Sequence, residues 1–167
     1  MKLIGKVWKF GDDINTDLLL PHKALRLSPE EKCRLCLSDN RPGWSMQVKP
    51  GDILIAGKNF GTGSSRPAAA VLKNLGLCCV AAESYNALFF RNCVCYGFLA
   101  ITLPGIAEMF EEGDTAEIDY DEGVVTNLRT GESRNAVKPA KVMLDIVAAG
   151  GIEGVLAEKG YISDETE

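Results

Sequence analysis

The stretch from Asp52 to Ala82 constrains this chain more than any other. Asp52-Ile53-Leu54-Ile55-Ala56 reads as a buried strand, Ala68 to Leu75 as a helix stopped by Gly76, and Leu77-Cys78-Cys79-Val80-Ala81-Ala82 as a second buried strand. Strand, helix and strand within about 30 residues make a βαβ unit. Continuous apolar runs, rather than alternating ones, mark strands covered on both faces. Between the first strand and the helix stands Lys58-Asn59-Phe60-Gly61-Thr62-Gly63-Ser64-Ser65-Arg66-Pro67. Gly61 and Gly63 permit positive φ and close backbone approach. Ser64 or Ser65 is the expected N-cap, and Pro67 suits the first helical turn. Arg66 adds a planar fork suited to a carboxylate or phosphate. The junction reads as an anion cradle or as an ordinary capped turn. It lacks the Lys-Ser/Thr of a P-loop and the third glycine of a dinucleotide fingerprint.

The rest of the chain extends this α/β pattern. Lys2–Phe10 and Phe98–Leu103 read as further strands, the latter stopped by Pro104-Gly105. Ser84 is the expected cap of a second helix over Tyr85–Asn92, ending near Gly97. Residues 106–112 suggest a short helix. Residues 117–120, 123–126 and 133–137 suggest a small hairpin layer. A last helix spans Pro139–Ala149, followed by Gly150-Gly151 and a final turn within 152–160. Residues 22–47 are the least regular part: a loop or short helix covering a site, or a mobile insertion. Within them, Ser28-Pro29-Glu30-Glu31 has the form of a helix start, with Ser as cap and Pro at the first position. Residues 1–167 are expected to form a single domain, with a frayed tail over 161–167.

Composition excludes several classes. The net charge of −5 disfavours a nucleic-acid partner, and no apolar run is long enough to span a membrane. Met1–Trp8 has no leader-like apolar core, so the expected location is cytoplasmic. The six cysteines (33, 36, 78, 79, 93 and 95) are then expected to be thiols. Cys33 and Cys36 form one CxxC, but neither a second CxxC nor a histidine pair completes a tetrahedral site, since His22 is the only histidine. No metal is expected on this chain; a redox or metal protein built on Cys33 and Cys36 is the competing idea.

Ser64 also lacks the histidine base of a hydrolase nucleophile, because only His22 is available and Gly-x-Ser-x-Gly is not matched. A serine can still move protons where backbone donors, a helix start and a guanidinium stabilise its alkoxide. Upstream, Asp12-Asp13-Ile14-Asn15-Thr16-Asp17 is an Asx-rich turn without the further ligands calcium requires.

Taken in order, Gly11–Asp17 with Pro21, Asn59-Phe60-Gly61-x-Gly63-Ser64-Ser65-Arg66, and Phe89-x-Arg91-Asn92 with Gly97 resemble the small subunit of 3-isopropylmalate dehydratase. That subunit corresponds to the swivelling domain of aconitase, and the similarity runs through Gly150-Gly151. The resemblance implies a swivelling β/β/α domain. It implies a heterodimer or heterotetramer with a large subunit that carries a [4Fe–4S] cluster, no cofactor being held by this chain. It implies dehydration and rehydration of a hydroxy acid, 2-isopropylmalate to 3-isopropylmalate in leucine biosynthesis. By the family pattern Ser64 is the base and Arg66 the carboxylate clamp. Asp17 orients groups across the subunit boundary, while Thr16, Gly63, Ser65 and Leu25 belong to the substrate side.

Two departures stand out: Thr62 where relatives commonly have cysteine, and Pro67-Ala68 where they have Glu-His. In this family the segment after the Asn-Thr-Asp turn tunes substrate choice. Here Leu25 and Leu27 offer an apolar wall, and Lys23 or Arg26 a partner for a third carboxylate. The alternatives are therefore a related hydro-lyase subunit (homoaconitase, citraconate or methylmalate type) or a non-catalytic anion-binding module. Isolated, the chain is expected to form a homo-oligomer if it associates at all.

Overall fold

The computed structural model describes residues 2–162. Its strands are β1 (Lys2–Lys9), β2 (Ile53–Ala56), β3 (Cys79–Ala82), β4 (Leu99–Thr102), β5 (Thr115–Asp119), β6 (Val124–Asn127) and β7 (Ser133–Asn135). They form one mixed sheet in the order β4-β3-β2-β1-β5-β6-β7. The division falls inside β1. Its C-terminal end pairs in parallel with β2, Val7 opposite Ile53, and its N-terminal part pairs antiparallel with β5, Lys2 opposite Asp119. β2, β3 and β4 continue in parallel, whereas β5, β6 and β7 form an antiparallel meander.

Side-chain alternation then builds two cores. Leu54, Ala56, Val80, Ala82 and Ala100 point to one face of the parallel strands. There they meet α1 (Thr16–Leu19), α3 (Ala68–Asn74) and α4 (Ala87–Cys95) through Leu19, Leu72, Phe89 and Cys93. Ile53, Ile55, Cys79, Ala81, Leu99 and Ile101 point to the opposite face and share a core with Ala116, Ile118 and Val125 of β5 and β6. The sheet therefore curls so that its antiparallel half covers its parallel half, giving helix, sheet and sheet layers. Being buried on both sides is why the central parallel strands β2 and β3 are apolar at every position. The sheet-side core is closed by α5 (Ile106–Met109) and α6 (Lys141–Ala148); α7 (Ile152–Glu158) packs beside α4 and α6.

Residues 22–47 fold as a cover over the helix-side core. They contain 3₁₀ turns at His22–Ala24 and Trp44–Met46 around α2 (Pro29–Leu35). Ser28 Oγ accepts from Glu31 N at 3.3 Å while Glu31 accepts from Ser28 N at 3.0 Å, so both ends of a capping box are closed. Trp44 is fully buried, edge-on to Phe10 and Trp8 with centroids 5.0 and 6.2 Å apart. The buried Leu37 donates its N–H to Leu18 O at 2.9 Å.

A buried polar knot joins the two halves of the meander. Asp114 accepts from Arg129 Nε at 2.5 Å, Asn127 Nδ2 at 2.7 Å and Glu111 N at 2.9 Å. Asn127 also donates to Met109 O at 2.8 Å. The Arg129 guanidinium, with these other donors, holds the Asp114 carboxyl well below the usual carboxylate range against the cost of burial.

Two helix starts differ from expectation. Asn86, not Ser84, caps α4, its Oδ1 accepting from Leu88 N at 3.0 Å. The Tyr85 hydroxyl sits between Val80 O and Ile101 O, at 2.9 and 3.0 Å, which holds this segment extended and delays the helix. Neither Ser64 nor Ser65 caps α3. That helix starts at Ala68, with Pro67 at the cap position and no side-chain cap bond. Of the tail expected to fray, Tyr161 and Ile162 are exposed, while residues 163–167 lie outside the described residues. Among the described residues no helix is long and apolar enough to cross a membrane.

Candidate functional site

β1 and β2 are parallel neighbours, so the loops leaving their C-terminal ends meet. One is the Asx-rich turn from Gly11, the other the glycine-rich junction from Gly57. Open α/β sheets place their binding crevices at this end of the strands.

The two loops are laced rung by rung. Lys58 N donates to Asp12 Oδ1 at 2.7 Å and Asp13 N to Lys58 O at 2.8 Å. Gly61 N donates to Ile14 O at 2.7 Å, and Thr16 N to Thr62 O at 2.8 Å. Asp13 and Asn59, two of the three described non-glycine residues at positive φ, face each other through Asn59 Nδ2 and Asp13 Oδ1 at 3.0 Å. Backbone strain of this kind persists only where the surroundings over-determine it.

Glycine is required at two points of the junction. Gly61 has φ +78°, and a Cβ there would stand 2.2 Å from the Phe89 ring. Gly63 has φ +116°, and its Cβ would stand 2.6 Å from Thr16 Oγ1. Beneath them Phe60 is fully buried against Tyr85 and Phe89. The exposed loop thus rests on an aromatic floor.

Arg66 organises the surface. Its Nε donates to Ser64 Oγ at 2.9 Å and its Nη1 to Leu20 O at 2.7 Å, while Nη2 forms an ion pair with Asp17. The Arg66 side chain is only 16% exposed, against 67% for Asp17. The guanidinium is therefore held on its buried side, and Asp17 lies at its exposed outer edge. Three of its five N–H groups are used in these contacts, leaving two. Ser64 and Ser65 are exposed, as is Gly63. Ser64 N donates to Thr16 Oγ1 at 3.1 Å. The flanking N–H groups of Gly63 and Ser65 donate to no acceptor among the described residues.

The structure thus brings Thr16, Asp17, Gly63, Ser64, Ser65 and Arg66 together. Thr16 is 2% exposed and faces the Ser64 backbone rather than solvent. Leu25 is half-buried and packs on the helix-side core, at the end of the 3₁₀ turn that follows Leu20. Leu20 O, which fixes Arg66, was invisible to sequence reasoning because a backbone carbonyl carries no residue-type signal. Cys33 and Cys36 lie apart from this array: Cys33 Sγ contacts Val71 O at 3.7 Å, and burial pushes both thiols up, away from the reactive thiolate. Among the described residues no three histidine, cysteine or carboxylate side chains gather as a metal site.

A curled mixed sheet presenting Gly-Ser-Ser-Arg at a strand end defines an aconitase-type swivel domain. Residues 30–105 match the family described as the aconitase C-terminal domain. The 3-isopropylmalate dehydratase small subunit of Aquifex aeolicus is 41% identical over 162 residues, covering 95% of this chain and 96% of its own. The isopropylmalate/citramalate isomerase small subunit of Methanocaldococcus jannaschii is 41% identical over 157 residues, 93% of this chain and 94% of its own. The crystal structure of 3-isopropylmalate dehydratase (LeuD) from that organism superposes with a TM-score of 0.91 at 31% identity, covering all of both chains. The chain belongs to the 3-isopropylmalate dehydratase small-subunit family.

Proposed function

We propose that this chain is the small subunit of a hydro-lyase that isomerises a hydroxy acid by dehydration and rehydration, with Ser64 as the proton-transfer base. The observation that carries the reading is the Arg66 Nε–H donated to Ser64 Oγ at 2.9 Å on an exposed surface. A fixed positive donor favours the alkoxide over the hydroxyl, which is what a serine without a histidine partner needs. Ser64 takes the proton alpha to a substrate carboxylate and returns it on rehydration. The carboxylate is received by the unengaged N–H groups of Gly63 and Ser65 and by the remaining guanidinium N–H groups of Arg66. Asp17 holds the outer edge of Arg66 until substrate arrives. The site is open on one side, as half a site would be. The other half is a large subunit whose [4Fe–4S] cluster, when bound there, supplies the Lewis acid for the leaving hydroxyl.

The preferred substrate is 2-isopropylmalate, passing to 3-isopropylmalate in a cytoplasmic leucine pathway, with Leu25 contributing to the wall that meets the isopropyl group. One observation keeps a tricarboxylate in view. Lys23 is paired with Asp39 at 2.9 Å, whereas Arg26 is exposed and has no ion-pair partner among the described residues. A third carboxylate would therefore meet Arg26 rather than Lys23.

The test is turnover by the reconstituted large and small subunits on a panel of 2-isopropylmalate, citramalate and homologous tricarboxylates. Ser64→Ala is expected to lose at least about 10²-fold in kcat on the best substrate. Wild-type turnover in that variant would remove Ser64 from the chemistry, and preference for a tricarboxylate would replace the isopropyl reading.

A further inference from the structure

Thr16 is the one side chain of the array that solvent, and therefore substrate, does not reach. It opens α1 at 2% exposure and accepts the Ser64 N–H on its Oγ1 at 3.1 Å. The preceding rungs are backbone pairs: Gly61 N to Ile14 O, then Thr16 N to Thr62 O. Parallel pairing between the β1 and β2 chains thus continues beyond both strands, through the Asn15–Thr62 bridge. At the next rung a backbone carbonyl would normally accept. Here the chain has turned into α1, and the Thr16 hydroxyl takes the carbonyl's place. Gly63 makes room for it, since any Cβ there would lie 2.6 Å from the same oxygen.

The consequence reaches the reacting atom. Ser64 is held from two sides, its N–H by Thr16 and its Oγ by Arg66 Nε. Without the first bond the Ser64 backbone keeps only its carbonyl contact, Arg66 N to Ser64 O at 2.8 Å, so the peptide before it can rotate and the Oγ shifts against Arg66 Nε. We infer that Thr16 is a positioning residue for the Ser64 Oγ. This inference rests on Ser64 being the base.

Four small-subunit forms, each paired with the large subunit, test it: wild type, Thr16→Val, Thr16→Ser and Ser64→Ala. Valine keeps the shape of threonine and removes the acceptor. Thr16→Val is expected to lose about 10- to 100-fold in kcat, the scale of a misplaced catalytic group, with KM within about 2-fold of wild type. Thr16→Ser, which restores the acceptor, is expected to recover most of that loss. Both should assemble with the large subunit and melt close to wild type.

Wild-type kcat in Thr16→Val overturns the inference, as does failure of Thr16→Ser to recover turnover in an assembled pair. If Thr16→Val does not assemble, Thr16→Ala takes its place with the same expectation. Loss of assembly in both, with Thr16→Ser assembled, overturns positioning in favour of a purely structural role. Ser64→Ala separates the two claims. If it turns over normally, the base assignment falls. If it is inactive while Thr16→Val matches wild type, only the Thr16 inference falls.

Discussion

At Gly63 one missing methyl group serves two chains of contact. Its φ of +116° lies where side chains are strained, and the space a Cβ would fill belongs to Thr16 Oγ1. Gly63→Ala therefore meets backbone strain of about 1–3 kcal/mol and also pushes away the acceptor of the Ser64 N–H. The expected outcome is a lowered urea midpoint together with a loss of turnover larger than the stability change explains. Equal turnover per folded pair would show that the loop relaxes without moving Ser64. Arg66 shows a different residue-scale logic. Three of its contacts are made within the chain, so lysine, a flexible point charge, cannot replace it without releasing Ser64, Leu20 O or Asp17.

At the scale of elements, the helices differ in how they begin. α2 carries a complete capping box, whereas α3, which follows the site, starts at Ala68 with Pro67 at the cap position and no side-chain cap. Neither hydroxyl that sequence alone would assign to capping α3 bonds to it. Ser64 Oγ is taken by Arg66, and the Ser64 backbone by Thr16. The junction thus lacks a local stabilisation that a capped turn would have. α2 has no buried residue, so its cap matters to its persistence. Ser28→Ala is expected to cost about 1 kcal/mol, read as a shift in the denaturation midpoint. No change would mean that packing, including that of Cys33 and Leu35 on the helix-side core, fixes the segment without the cap.

For the whole molecule, the Asp114 knot ties the α5–β5 turn to the β6–β7 hairpin. Its carboxyl is depressed in the folded chain, by Arg129 first, while the unfolded chain protonates near the ordinary value of about 3.9. The unfolded state therefore takes up the proton first as pH falls. Stability from this group is fully present above about pH 5 and is lost progressively through pH 4 and below. Asp114→Asn is expected to lower stability at neutral pH and to flatten its decline between about pH 5 and pH 3. Parallel stability–pH curves for the two proteins would assign acid sensitivity elsewhere.

The order of apolar runs and glycines determined much of this protein by itself. Strands buried on both faces must be largely apolar, so Ile53–Ala56, Cys79–Ala82 and the Leu99–Ile101 run of β4 were legible, and so was the glycine-rich junction between the first of them and its helix. The Gly-Ser-Ser-Arg and Asn-Thr-Asp motifs made the family legible too. Within residues 22–47 the start of α2 at Ser28-Pro29-Glu30-Glu31 was legible, but the cover around it was not, because residues such as Trp44 answer to scattered partners, Trp8 and Phe10. The curl of the sheet was hidden for the same reason: Ala116 and Val125 become core only when the antiparallel half folds over the parallel one. At the site, the sequence named the side chains and tertiary structure set their hydrogen-bond partners. Only the adjacency of β1 and β2 brings residues some 48 positions apart within hydrogen-bond reach, putting Thr16 under Ser64 and Asp17 on Arg66. Local pattern reports what a residue is suited to, but hydrogen-bond partners are chosen in space.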